Sequence, residues 1–309
     1  MTTKSPNVLL NEALLICTRN RLNELDSLAT TLNLCSFIPE YIVLIDASDK
    51  HEKSTLTSLF SIIKSKLIIS ASEIASIPFQ RNLGVSLLPN TCEIVHFIDD
   101  DFLPNQDYFF YLSQFLIQNK NKALGAGGRI LPISIKNNLT VFDSIFGLNA
   151  SEPGIVLPSG RTTESQAILH SSFSYTSLFL SGCSMSFFFN IFSSFKFDET
   201  LQGYAQDEDL AFCLQLPRNS IFVVPYANGK HQKSITNRLN NYSFKKMSVI
   251  NRFYVMNTYA KNYFSIPSFH WSLLGQLIIL CKSPIKNSSL IKGLLAGWMN
   301  ILTMNKLFD

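Results

Sequence analysis

Four short apolar runs limit this chain's fold more than any other feature: ALLIC at 13–17, YIVLID at 41–46, KLIIS at 66–70 and IVHFID at 94–99. Short, largely apolar runs of this kind read as strands buried on both faces. Between them the pattern predicts helices over 22–34, 54–64 and 80–88, with another over 107–118. Strand–helix alternation at this pitch implies right-handed crossovers and a mainly parallel sheet. Ligands of such sheets gather beyond the carboxyl ends of the strands. Asp46 and Asp99 stand at two of those ends.

Beyond residue 120 the pattern loosens. ALGAGGRILP at 123–132 reads as a Gly-interrupted strand, and 133–170 as largely loop. No formal charge occurs from Ser165 to Phe195, which raises the question of a membrane span. Frequent serine and the interruptions at Gly182 and Asn190 argue instead for a buried strand, turn and helix in LFLSGCSMSFFFNIF. The tail, with FKKMSVINRFYVMNTYAKNY, WSLLGQLIILC and LIKGLLAGWMNILTM, reads equally as helices on a membrane surface and as helices packed against the preceding body.

Hydrophobic residues make up 46% and charged residues 16% of the 309, with 25 Phe, so the core is well filled and the charged surface sparse. A net charge of +4, with no dense Lys/Arg tract interleaved with aromatics, gives no ground for nucleic-acid binding. It fits an anionic membrane face or a phosphate-bearing ligand. The six cysteines are scattered without a C-x-x-C pair, as expected of reduced, mostly buried thiols. No secretory signal opens the sequence, so the cytoplasm is the expected compartment.

EIVHFIDDDFLP at 93–104 carries the chemistry. Three adjacent carboxylates at the mouth of a buried strand repel one another, and a cation removes the penalty. Hard oxygen donors suit Mg²⁺ or Mn²⁺. The plain alternative is an Asp-rich turn that caps the next helix. A second acidic group, Asp207, Glu208 and Asp209, precedes an amphipathic helix. Its members either favour the helix dipole or supply a general base. His231, just past a predicted strand, could complete a metal's coordination.

Taken in order, these pieces resemble the family 2 glycosyltransferases of the GT-A fold. The likeness runs through LLICTRNR, YIVLIDASD, FQRNLGV, HFIDDDFLP, GAGGRI, SGCSMSF and FDETLQGYAQDEDLAF, over about residues 12–235. It implies an α/β fold, a mixed and mainly parallel nucleotide-binding sheet flanked by helices, with a C-terminal helical extension. The implied division is a catalytic domain over 1–238, whose 1–120 half takes the nucleotide sugar and whose 121–238 half takes the acceptor, then an extension over 239–309.

The resemblance also implies roles. Thr18, Arg19 and Asn20 would line the nucleotide pocket, Asp46 would bind the base, and Arg81 the base or the diphosphate. Asp99 would contact the ribose or donor sugar, with Asp100 beside it. Asp101 and His231 would hold Mn²⁺ or Mg²⁺. Aligning on Leu210 makes Asp207 the general base, with Asp209 second, and puts Gln206 where the family has Glu. The expected reaction is metal-dependent, inverting sugar transfer from a nucleotide-diphosphate donor to a glycan acceptor, in bacterial surface-polysaccharide synthesis of the O-antigen or capsule kind. The apolar, basic tail points to a lipid-linked acceptor and peripheral contact with the inner membrane.

Other classes fit less well. A Rossmann oxidoreductase needs a Gly-rich turn after the first strand, where CTRNR has none. A nucleotidyltransferase is expected to open with a Gly-rich, Lys-containing phosphate loop. A non-catalytic nucleotide-sugar binder is favoured only by Gln206.

Overall fold

The structure, a computed structural model, describes residues 11–50, 53–132, 139–163, 173–232, 234 and 239–304. The chain runs β1 (Glu12–Thr18), α1 (Leu22–Leu32), β2 (Tyr41–Asp46), α2 (Lys53–Phe60), β3 (Lys66–Ala71), α3 (Ile77–Ser86), β4 (Ile94–Asp99), β5 (Phe102–Pro104), α4 (Tyr108–Gln118) and β6 (Gly125–Leu131). It continues through α5 (Val141–Ile145), β7 (Tyr175–Thr176), β8 (Ser184–Phe188), α6 (Glu208–Leu214), β9 (Ile221–His231), α7 (Asn241–Tyr259), α8 (Ile266–Cys281) and α9 (Ser288–Met304).

These strands form one sheet in the order β3-β2-β1-β4-β8-β6-β9-β5, with β7 also on β9. The first four are parallel, β8 runs antiparallel to β4, and β6 and β9 are parallel to each other. Register decides where function can sit. Thr18 pairs with Asp46 and Cys17 with Asp99, so three strands end together on one edge.

Alternation along the buried strands divides the core into two layers. Leu14 and Ile16 pack with Leu25, Leu28, Phe109 and Leu112 under α1 and α4. Ala13, Leu15 and Val95 face the other way, onto a phenylalanine stack of Phe97, Phe187, Phe192, Phe197 and Phe212. Phe197 and Phe212 lie with ring centroids 4.3 Å apart and nearly parallel. Burying each such side chain contributes about 1.5–3 kcal/mol, which gives the high phenylalanine content a purpose. Gly84 lets α3 sit directly on β1, because a Cβ there would come within 2.4 Å of Leu15.

Several local expectations shift. The helix expected over 80–88 begins at Ile77, because Pro78 occupies its first turn, where a missing N–H costs nothing. The expected strand, turn and helix around Cys183 is a turn, strand β8 and a 3-10 turn over Phe189–Ser193. Within the expected loop, α5 forms around a capping box in which Thr140 and Asp143 exchange side-chain-to-backbone bonds. Of that loop, 133–138 and 164–170 lie outside the described residues.

Of the two readings of the tail, packing describes its inner face. Val255 and Met256 of α7 join Leu201, Ala205, Leu210 and Ala211. Trp271 of α8 stacks on Phe146 at 4.9 Å and donates to the Ile145 carbonyl at 2.9 Å. Outer positions, among them Ile278, Ile285 and Met299, remain exposed. No described helix is long and apolar enough to cross a membrane.

Candidate active site

A cleft of about 550 Å³ opens at the edge where β1, β2 and β4 end. Thr18, Arg19, Arg81, the acidic triplet, Cys183, Asp207 to Asp209 and His231 all line it. Two carboxylate groups more than 100 residues apart thus share one cavity with an imidazole. A larger cavity of about 650 Å³ beside Leu216, Arg218 and Tyr263 has no acidic or imidazole group in its walls, so the chemistry belongs to the smaller one.

The three carboxylates of the triplet are used differently. Asp100 accepts from Thr18 Oγ1 at 2.7 Å and from Arg21 at 2.7 Å, which fastens the turn to the end of β1. Burial pushes its carboxyl up to about 7, against the opposing pull of Arg21. Asp101 accepts from His231 Nε2 at 2.9 Å and from the Ser234 amide at 2.8 Å. Burial raises the Asp101 carboxyl, but those bonds and Arg21 together hold it below the usual range. Burial also opposes a charged His231. Its bonds to Asp101 and Cys183 prevail, and the imidazole is pushed up to about 10. Asp99 faces the cleft, 3.7 Å from Arg81, with its carboxyl raised by burial.

Arg81 is almost wholly buried. It pairs with Glu208, donates to the Gly182 carbonyl at 2.9 Å, and lies over the rings of Phe197 and Phe97. The guanidinium therefore ties the start of α6 to the end of β4. Glu208 is pushed up to about 8, chiefly by burial, and its Oε2 has no hydrogen-bond partner.

Asp207 has a left-handed backbone, with φ 74°, a conformation uncommon among residues other than glycine. Arg252 of α7 grips its carboxylate, Nε on one oxygen and a terminal nitrogen on the other. Asp209 instead accepts from the Gly182 amide at 2.8 Å and from its own helix at Leu210.

The remaining expected residues lie at the margin. Arg19 and Asn20 both reach Asp49, at 3.1 and 2.8 Å, and latch the β1 loop to the β2 loop. Asp46 is buried at its strand end and accepts from the Ser48 amide at 2.9 Å. Sequence reasoning gave no role to Arg21, Asp49, Cys183 or Arg252. Asp49 stood within a quoted motif. Arg252 had no local signal, because its partner lies 45 residues earlier.

A Ser186–His96–Glu12 chain has the connectivity of a nucleophilic triad, with contacts of 2.7 and 2.8 Å. At 0%, 0% and 2% exposure no substrate reaches it, so it is a buried polar brace within the sheet.

The donor set fits a divalent ion. An Asp99 oxygen, the Cys183 sulfur and a His231 nitrogen lie mutually within 4.8 Å. Carboxylate, thiolate and imidazole are all metal ligands.

No family model and no curated protein sequence matches the chain. Solved structures do. A GalNAc-T7 crystallised with UDP, GalNAc and Mn²⁺ superposes with a TM-score of 0.62 at 15% identity, over 83% of this chain and 49% of that one. The chain therefore spans about half of that protein's length. The mannosyltransferase PcManGT from Pyrobaculum calidifontis, in complex with GDP-Man and Mn²⁺, gives 0.56 at 11% identity over 96% and 80%. S. aureus TarS 1–349 with UDP gives 0.52 at 13% over 90% and 74%. At such identities the likeness speaks for the fold: this chain has a GT-A-type α/β fold, a mixed sheet flanked by helices with a C-terminal helical extension.

Proposed function

We propose that the chain is a glycosyltransferase that moves a sugar from a nucleotide-diphosphate donor to an acceptor hydroxyl with inversion. The observation that carries this reading is the meeting of Asp99, Asp101 and His231 with Asp207 in one cleft, at the strand-end edge of a GT-A-type fold. The nucleotide enters over Thr18, Arg19 and Asn20, with Asp46 toward the base. Asp99 and His231 face the diphosphate end, where they would hold a divalent ion of the Mn²⁺ kind, and Asp101 anchors the His231 ring. A divalent ion bound there would neutralise the leaving diphosphate, a contribution commonly worth several kcal/mol.

Asp207 is the base. Arg252 occupies one bonding direction on each of its carboxylate oxygens and fixes their plane, and the remaining lone pairs can take the acceptor's proton. The deprotonated hydroxyl attacks the anomeric carbon opposite the leaving group and inverts it. Arg81, Glu208 and Asp209 hold the walls in place rather than touching the reacting atoms.

The exposed apolar positions of α8 and α9 support a lipid-linked acceptor, peripheral contact with the inner membrane, and a place in bacterial cell-surface polysaccharide assembly. The test is a panel of nucleotide sugars screened by thermal shift with Mn²⁺, followed by transfer assays on lipid-linked and soluble acceptors. Tm should rise for one donor class. Absence of any nucleotide-dependent shift would overturn the reading.

A non-catalytic nucleotide-sugar binder is the second reading, favoured by Arg252's hold on Asp207 and by Gln206 before it. It predicts donor binding without donor hydrolysis or transfer.

A further inference from the structure

Cys183 belongs to the turn before β8 and is 3% exposed, yet it lines the cleft. Its sulfur, an Asp99 oxygen and a His231 nitrogen lie within 4.8 Å of one another, and among the described residues no other trio of His, Cys, Asp or Glu donors comes this close. The sheet, rather than a flexible loop, enforces the meeting. β4 and β8 pair antiparallel with Ile98 opposite Ser184, so Asp99 and Cys183 leave the ladder side by side. His231 closes β9 and pairs with Phe102, three residues past Asp99.

Donors sharing one first-row ion at about 2.0–2.3 Å stand about 3–4.5 Å apart, depending on the angle at the metal. The trio, mutually within 4.8 Å, lies close to that range. Asp101 engages His231 Nε2, and the ring's hydrogen bond to Cys183 is the contact the ion would replace. A metal-bound imidazole is usually anchored in this way, through its other N–H to a carboxylate.

We propose that Cys183 is a thiolate ligand, completing with Asp99 and His231 an oxygen, sulfur and nitrogen site that prefers a thiophilic divalent ion of the Zn²⁺ or Co²⁺ class over Mg²⁺. The inference rests on the reading of this cleft as metal-assisted and sharpens which metal it takes. Thiolate and imidazole favour borderline ions, whereas carboxylate and water alone suit Mg²⁺. Binding releases the thiol proton, and any proton on the coordinating ring nitrogen, to solvent, with no change of oxidation state. Asp101 is then a positioning residue for His231.

The test uses the full chain, stripped by chelator under reducing conditions and titrated with Co²⁺. A thiolate-to-cobalt charge-transfer band should rise to one equivalent and be displaced by stoichiometric Zn²⁺ but not by millimolar Mg²⁺. Cys183→Ser should lose the band while keeping the visible d–d absorption. Cys17→Ser, the other thiol in the cleft wall, should keep both. X-ray absorption of the Zn²⁺-loaded wild type needs no variant to fold, and it should show one sulfur neighbour at about 2.3 Å. A shell of oxygen and nitrogen alone, or a cobalt band that persists in Cys183→Ser, overturns the proposal. Sugar transfer supported by Mn²⁺ without a sulfur signal would sink the thiolate ligand and leave the transferase reading standing. A sulfur signal without transfer would do the reverse.

Discussion

Arg252 of α7 holds both carboxylate oxygens of Asp207. The same guanidinium donates to the Gly160 carbonyl at 2.6 Å, and the neighbouring Asn251 donates to the Gln206 carbonyl at 2.9 Å. The C-terminal extension is thereby wired into the turn that carries the proposed base. Asp207→Asn is expected to lower turnover by about 10²–10⁴-fold, the usual share of general-base catalysis, with donor affinity kept. Arg252→Lys, which cannot grip in two places, is expected to lower turnover by about 10²-fold through misplacement. Steady-state kinetics beside calorimetric donor titration checks both. Unchanged turnover in Asp207→Asn would remove the assignment.

Metal removal tests the other end of the cleft. EDTA is expected to stop transfer, and a restored divalent ion to recover it, Mn²⁺ or Co²⁺ more readily than Mg²⁺. Asp101→Asn should weaken metal affinity by about 10–100-fold, because the His231 ring loses its anchor. Full transfer in chelator would take the metal role from this part of the site.

Asp100 is expected to matter for folding more than for chemistry. It holds Thr18 and Arg21 in a nearly closed pocket. Asp100→Ala removes the shared acceptor of Thr18 and Arg21, although Arg21 keeps Asp101 at 3.9 Å, and the expected cost is about 1–3 kcal/mol. Denaturant unfolding measures it. A loss below about 1 kcal/mol, the range of exposed pairs, would show that the clamp is not formed.

Glu12→Ala should separate scaffold from site at the opposite end of β1. It strips the carboxylate from His96, whereas Ser113 can still donate to the Phe109 carbonyl at 2.9 Å. Leaving the buried imidazole nitrogen unsatisfied costs about 1–3 kcal/mol. Stability should fall while turnover per folded molecule holds. A large loss of turnover at equal folded fraction would contradict the role of buried brace.

Stability should also report on Glu208. Its folded carboxyl titrates near 8 against a reference of 4.5, so the folded chain binds the extra proton between those values. Stability contributed by that proton is fully present below pH 4.5 and is lost as pH rises through 8. The wild-type advantage over Glu208→Gln should accordingly narrow from pH 5 to pH 8 in melting experiments. A constant gap would mean that Arg81 keeps Glu208 ionised throughout.

Strand-forming runs are legible locally because a strand buried on both faces is apolar at nearly every residue, whatever its neighbours. YIVLID and IVHFID therefore announced β2 and β4, and placed Asp46 and Asp99 at their ends. Helix starts were less legible. Pro78 and the exchange between Thr140 and Asp143 act through one turn of backbone, below the length at which periodicity speaks.

The sequence alone determined the alternating α/β architecture, the two acidic groups and His231 as polar breaks beside apolar elements, because hydrophobic periodicity and charge are properties of the chain itself. Which carboxylate does what was decided only by tertiary structure. Three neighbouring aspartates part company: Asp100 to Thr18 and Arg21, Asp101 to His231, Asp99 to the cleft. Cys183 and Arg252 enter the site across sheet pairings and helix packing that span tens of residues, and such partners exist only once burial has brought the segments together.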